Sequence, residues 1–295
     1  MGVVIENAHI SGKSTEDDGG IDRLVAAGRA CLGQSDDVCT LINVGVYRER
    51  NIVEPALAAI IQRRLGLGLR YASGRPPVLS FDLLNGPCGF LTAVQTVAAL
   101  LPGKQGRCLV VGGDGHPAVG TTRQFPYAQV GAAALLRYTS APIGFGRIWS
   151  GAGNAQPVPH GYVDLAAMGR HGRETISFNH ARLDEDELVK LSVTLARTCL
   201  IREQASPDGF GLVIAQPFPG FAQRVAEELD VADVHAAPAG TGRDPHSAAL
   251  IAAYSPVAAD GVPSRGLLFL AAGAGPVAAT SLYRRRSPVP SADSR

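Results

Sequence analysis

The amino-acid sequence predicts an α/β protein in which one structural unit is written twice. Three observations carry that reading. From Ile21, apolar runs and turn residues give helix, strand, helix, strand, helix, strand, strand, and from Asp184 the same order returns. The strands are continuous apolar runs, such as Cys108-Leu-Val-Val-Gly, Gly211-Leu-Val-Ile-Ala and Gly266-Leu-Leu-Phe-Leu. Such strands are buried on both faces, as in a mostly parallel sheet covered by helices. The run Cys88–Leu101 is apolar all round except for Thr92, Gln95 and Thr96, which places it as a helix inside the molecule, between two sheet layers.

Taken in order, the first copy is helix Ile21–Leu32, strand Leu41–Tyr47, helix Pro55–Leu65, strand Val78–Leu84, the buried helix Cys88–Leu101, and the strands Cys108–Gly113 and Ala132–Tyr138. Helix Pro55–Leu65 opens with proline in its first turn, where no backbone donor is lost, and closes before Gly66 and Gly68. The second copy is helix Asp184–Glu203, strand Gly211–Gln216, helix Gly220–Leu229, strand Val231–Ala236, helix His246–Tyr254, and the strands Gly266–Ala272 and Ala278–Tyr283. The segments His116–Val130 and Gly144–Leu183 lack strong periodicity and read as crossover, lid or interface loops. The halves are thus 1–143 and 144–286, with a Ser/Pro-rich tail, 287–295, expected to fray. A doubled unit implies a pseudo-twofold axis, and chemistry is expected where the helix N-termini of the two copies converge.

Composition excludes several classes. The chain has 295 residues, 46% of them hydrophobic, enough for a large core. A net charge of +1 with 18% charged residues leaves no basic block for nucleic acid, and Arg284–Arg286 reads as the solvated end of the last strand. The five cysteines, Cys31, Cys39, Cys88, Cys108 and Cys199, are odd in number and form no CxxC pair. They point to a reducing cytoplasm, not to a secreted disulfide framework or a zinc site. No apolar stretch reaches the roughly 18 residues of a membrane span, and no leader opens the chain.

Four stretches, in order along the chain, resemble the thiolase superfamily and within it the β-ketoacyl synthase III branch. Asn43–Gly66 is similar to the strand and following helix of that family's first half. Phe81-Asp-Leu-Leu-Asn-Gly-Pro-Cys-Gly-Phe-Leu91 is similar to its nucleophile turn. Leu109-Val-Val-Gly-Gly with Val130-Gly-Ala-Ala-Ala-Leu-Leu resembles the strand pair after it, and Gly266–Arg284 the last two strands with their Gly-rich turn. The resemblance implies a thiolase-like fold, two duplicated α/β halves in five layers (α-β-α-β-α), dimeric through the strand after the central helix, here Cys108–Gly113. It implies an acyltransferase fold acting on acyl thioesters of coenzyme A or an acyl carrier protein, with no further cofactor.

The family works with Cys, His and Asn, and here those seats hold other residues. Counting without gaps from Phe81 to Phe90, the nucleophile seat is Pro87 and Cys88 follows it; the His seat is Gln216; the Asn seat is Pro245. The segment from Ile10 to the first helix is also shorter than the family's, where that region helps hold the nucleotide end of coenzyme A. Three readings follow. In one the chain is a catalytically degenerate partner that pairs, as homodimer or heterodimer, with an intact ketosynthase III-like subunit in fatty-acyl or polyketide-type biosynthesis, as the shortened subunit of alkylquinolone synthase does. In another, Cys88 at a helix N-terminus attacks the acyl thioester with His246 as its base. A third is a module that binds acyl thioesters without turnover.

Among the remaining polar residues, Asn85 and Gln216 are expected at the pocket floor, able to hold a thioester carbonyl or pantetheine amide. His116, in Gly112-Gly-Asp-Gly-His-Pro, is expected near the pocket or the subunit contact; this Gly-rich run lacks the Lys-Ser/Thr of a phosphate loop. His160, His171 and His180 lack metal-ligand spacing and read as surface or interface residues, so no metal site is expected.

Overall fold

The computed structural model describes residues 2–12, 19–35, 37–49, 54–69, 77–103, 106–116, 125–153, 161–163, 176–178, 184–237, 243–261, 263, 265–273 and 275–285. His160, His171, His180 and the tail 287–295 lie outside them. The first half contains β1 (Gly2–Ser11), α1 (Gly20–Leu32), β2 (Val38–Asn43), α2 (Leu57–Leu65), β3 (Leu79–Asp82), α3 (Gly89–Leu100), β4 (Arg107–Gly112) and β5 (Gly131–Thr139). After β6 (Gly144–Phe145), the second half contains β7 (Trp149–Ala152), β8 (Gly161–Val163), β9 (Ile176–Phe178), α4 (Glu185–Arg202), β10 (Phe210–Ile214), α5 (Phe221–Leu229), β11 (Val234–Ala236), α6 (Ala249–Asp260), β12 (Gly266–Gly273) and β13 (Val277–Arg284).

Strand order makes the duplication explicit. The first half runs β3-β2-β4-β5-β1, and the second runs β11-β10-β12-β13 with β7 on the far side of β13. In both, the parallel strands are followed by one antiparallel strand, β5 or β13. The short β6 pairs β1 on one side and β13 on the other and so joins the half-sheets.

Helices α1 and α2 cover one half-sheet through Leu24, Val25, Leu57 and Ile61, packed with Leu41 and Leu109 of the strands. Helices α4 and α5 cover the other through Leu188, Ala196, Phe221 and Val225, packed with Leu212 and Leu270. Between the half-sheets one core holds α3 (Phe90, Leu91, Val94) and α6 (Leu250, Ile251, Tyr254), in contact with Val110 and Phe269 of the two sheets. The five expected layers are present, with a central layer of two helices, one from each copy. Local rules place the helix starts: Asp184 accepts the Glu187 amide at 3.0 Å ahead of an acidic first turn in α4.

Three expectations change. Segment 144–183 carries β6 and β7 and the paired β8 and β9, where only loops are expected from the sequence. Helix α3 is buried over Gly89–Leu91, Ala93, Val94 and Val97, but Gln95, Ala98 and Ala99 emerge at its C-terminal end. Strand β4, the expected subunit contact, has both its edges paired, with β2 and β5, and among the described residues the sheet ends at β3 on one side and β11 on the other.

Candidate active site

The site forms where the two copies meet. Each central helix is entered by a single turn of 3-10 helix, Gly86–Cys88 before α3 and His246–Ala248 before α6, and the first residue of each turn has left-handed backbone: Gly86 at φ 50° and His246 at φ 47°. Glycine accepts that conformation freely. For histidine it is uncommon and costs backbone strain, which is often found at functional sites. The two turns face each other across the pseudo-twofold. Among the described residues other than its chain neighbours, a methyl group added to Gly86 would meet, within 4 Å, only the His246 ring, with Nε2 at 3.3 Å and Cε1 at 3.7 Å.

The imidazole is fixed from its other nitrogen. His246 Nδ1 donates to Asp114 Oδ2 at 2.9 Å, and Ser247 donates to the same oxygen from Oγ at 2.6 Å and from its amide at 3.2 Å. The other carboxylate oxygen accepts the amides of Val46 at 2.9 Å and Tyr47 at 2.8 Å, from the loop after β2. Asp114, which follows β4, is fully buried and donor-saturated. Tyr127 stacks on the imidazole with centroids 4.1 Å apart, and Tyr47 stacks on Tyr127 at 5.2 Å. With Nδ1–H committed to Asp114, the ring in its neutral form presents the Nε2 lone pair toward Gly86. Nε2 has no hydrogen-bond partner among the described residues, on a side chain only 9% exposed.

Charge follows the same geometry. Burial opposes ionisation of Asp114, but the imidazole's charge and the hydrogen bonds from His246, Ser247 and Tyr47 outweigh it and hold the carboxyl below its ordinary value. For His246, burial favours the neutral ring, and the Asp114 carboxylate overrides it and raises the basicity. Asp244 accepts the His246 amide at 2.8 Å, and burial pushes its carboxyl up to about 6 from 3.8 despite the nearby imidazole. A carboxyl with a raised value lowers stability as pH rises from its unfolded value through the folded one. Asp244→Asn keeps the acceptor for His246 and removes that cost. Chemical denaturation should show it more stable than the parent by about 1–2 kcal/mol at pH 8, with no gain below pH 4.

The sequence-predicted residues fall into two groups. His246 is at the centre, with Pro245 buried beneath it as the residue leading into its turn. The others are not gathered to it. Cys88 is buried in the core, its thiol makes no hydrogen bond among the described residues, and burial pushes that thiol up to about 12. Among the described residues the side-chain hydrogen-bond partner of the His246 ring is Asp114, not Cys88. Pro87 is buried and turned toward β12, its Cγ filling the space where a Gly273 side chain would begin, so Gly86 faces the imidazole in the seat counted as Pro87. Asn85 is exposed, and its amide donates to Thr92 Oγ at 2.9 Å one turn into α3. Gln216 is half-buried at the C-terminal end of β10 with no hydrogen bond among the described residues to His246. His116 lies edge-on to Phe125 at 5.2 Å. No cluster of metal-ligating groups occurs among the described residues.

The nucleophile-turn motif also has a structural half. Asp82 pairs with Arg48 at 2.7 Å and accepts the amides of Leu57 and Ala58, capping α2. Sequence reading missed Asp114, Ser247, Tyr47 and Tyr127; the one local signal was an acid set between two glycines after a buried strand.

No family model matches the sequence, and no curated protein matches it. Solved structures do match along the whole chain. The 3-oxoacyl-(acyl carrier protein) synthase III, FabH, of Pseudomonas aeruginosa PAO1 superposes with a TM-score of 0.78 at 16% identity, covering 98% of this chain and 100% of that one. This chain has the thiolase-like fold of ketosynthase III. The priming β-ketosynthase of the R1128 polyketide pathway gives a TM-score of 0.74 at 17% identity over 97% of both chains. A variant of Xanthomonas campestris OleA, solved with bound lauric acid and lauroyl-CoA, gives 0.71 at 15% over 97% of this chain and 99% of that one. At these identities the likeness is one of fold, and function is argued from the site.

Proposed function

We propose that this chain is a ketosynthase III-like subunit of fatty-acyl or polyketide-type biosynthesis that meets acyl thioesters without becoming acylated, and that it pairs with an intact ketosynthase III-like subunit. One observation carries the reading. The residue facing the site's imidazole is a glycine, while the neighbouring thiol of Cys88 is buried, unpartnered among the described residues and pushed up to about 12. At neutral pH such a thiol is almost wholly protonated, and the thiolate is the reactive form. The loss of the nucleophile alongside retention of the whole fold is what a partner subunit requires. Pairing is proposed across β3, one of the two terminal strands of the sheet, where Leu79 in the strand and Leu84 just after it are 54% and 50% exposed. A cytoplasmic setting is proposed from the unpaired thiols. No helix among the described residues is long and apolar enough to cross a membrane.

Intact-mass spectrometry after incubation with acyl-coenzyme A and acyl-carrier-protein thioesters is expected to show no covalent adduct, and iodoacetamide is expected to spare Cys88 in the native chain. Co-expression with a ketosynthase III-like protein carrying Cys, His and Asn is expected to yield a mixed dimer. A stoichiometric acyl adduct abolished by Cys88→Ala would restore the nucleophile reading and remove the partner reading.

A further inference from the structure

We infer that the His246–Asp114 pair is a working general base that directs water onto an acyl thioester, so that the site hydrolyses such thioesters in a single displacement with no acyl-enzyme. This rests on the reading that the site meets acyl thioesters. The observations are these. Nε2 is aimed at the Gly86 seat and lacks a partner among the described residues, while Nδ1 is locked on a buried carboxylate. Gly86 carries no side chain, and among the described residues other than its chain neighbours the imidazole alone lies within 4 Å of where one would begin. With no side chain on Gly86, the space in front of Nε2 is not filled from that side: even the first atom of a side chain there would stand 3.3 Å from Nε2, and a water molecule beside the Gly86 backbone is the proposed hydrogen-bond partner of Nε2. Tyr127, held by Tyr47, covers one face of the ring and keeps it from turning. A degenerate site with no chemistry left would have no need of a strained, buried histidine oriented by an aspartate that accepts five hydrogen bonds.

The step balances without a co-reactant. The water oxygen forms a bond to the thioester carbonyl carbon as its proton passes to Nε2, and the carbonyl π pair moves onto oxygen. The oxyanion collapses, the C–S bond breaks, and the leaving thiolate takes the proton from Nε2. The products are a carboxylic acid and a thiol. Asp114 holds the tautomer and stabilises the imidazolium, as the acid does in a Ser-His-Asp triad, with water in place of the serine. The thioester carbonyl would lie at the N-terminal ends of α3 and α6, whose dipoles favour developing negative charge.

The test is thiol release from decanoyl-coenzyme A and from the decanoyl thioester of N-acetylcysteamine, read with a thiol reagent on the full chain, with binding followed separately by native mass spectrometry. His246→Gln, which can still donate to Asp114, is expected to lower the rate about a hundredfold or more. Gly86→Ala, which fills the seat, is expected to abolish it, and Cys88→Ala to leave it unchanged. The parent rate should rise with pH through a single group above 6.5, the imidazole as set by the groups facing it: Asp114, Asp244, Tyr127 and Tyr47. Turnover of the coenzyme A ester alone would assign recognition to the nucleotide end; turnover of both would assign it to the acyl and thioester part. Binding without thiol release, or release that His246→Gln leaves intact, overturns the inference and leaves the proposed function standing. Failure to bind either thioester removes both.

Discussion

A thiol introduced at position 86 is expected to turn this chain into a protein that acylates itself. In Gly86→Cys the new side chain begins 3.3 Å from His246 Nε2 and has no other described neighbour within 4 Å. It also stands in the 3-10 turn at the head of α3, where the helix dipole favours a thiolate. The cost is backbone strain, because φ at this residue is 50° and a side chain there costs about 1–2 kcal/mol. A domain of typical stability, roughly 5–15 kcal/mol, tolerates that. Intact mass after incubation with an acyl thioester should show one acyl group per chain in the variant and none in the parent. Adding His246→Gln should slow the acylation about a hundredfold. A folded Gly86→Cys variant that stays unmodified, with a melting temperature close to the parent's, would show that the two turns do not form a thioester site.

The contrast with Pro87 shows where sequence reading reaches its limit. An ungapped count assigns a seat, but the direction of a side chain at a helix entrance depends on φ, and the left-handed turn at Gly86 shifts the facing position by one residue. The frame was legible for a plain reason. Strands buried on both faces must be continuous apolar runs, and β4, β10 and β12 are. Strand β7, Trp-Ser-Gly-Ala, alternates half-buried and exposed residues and carries no such run, so its sequence has the look of a loop. The convergence of helix N-termini followed from the duplication and holds at Gly86–Cys88 and His246–Ala248. The chemistry did not follow in the same way. Asp114 and His246 are 132 residues apart, as no motif spacing can show, and an aspartate between glycines has the local signature of a turn. His116, two residues on, is the more conspicuous side chain in the sequence, yet it is Asp114 that the fold buries against the imidazole.

Removing that aspartate is expected to have the largest effect on stability of any single change at the site. Asp114→Ala strands the amides of Val46, Tyr47 and Ser247, the Ser247 hydroxyl and His246 Nδ1 in a buried place. Each buried unsatisfied group costs about 1–3 kcal/mol, so the sum is comparable to the whole stability of a domain, and the variant should fail to accumulate as folded protein. Asp114→Asn keeps an acceptor for Val46 and Tyr47 but presents an amide to Ser247 and to His246. It should fold with a loss of about 3–5 kcal/mol, the usual effect of breaking a buried ion pair. The pH dependence of that loss carries a sign. Asp114 lies below its ordinary 3.8 in the folded chain, so its contribution is complete above that value and fades as pH falls through the folded one. His246 lies above its ordinary 6.5, so its contribution is complete below that value and fades as pH rises through the folded one. The stability difference between parent and Asp114→Asn should therefore be greatest between about pH 4 and 6.5 and shrink on both sides, as measured by urea unfolding across that range. A difference that stays level from about pH 3 to pH 9 would mean that the carboxylate and imidazole are not ionised together, and that the base at Nε2 is set by hydrogen bonding alone.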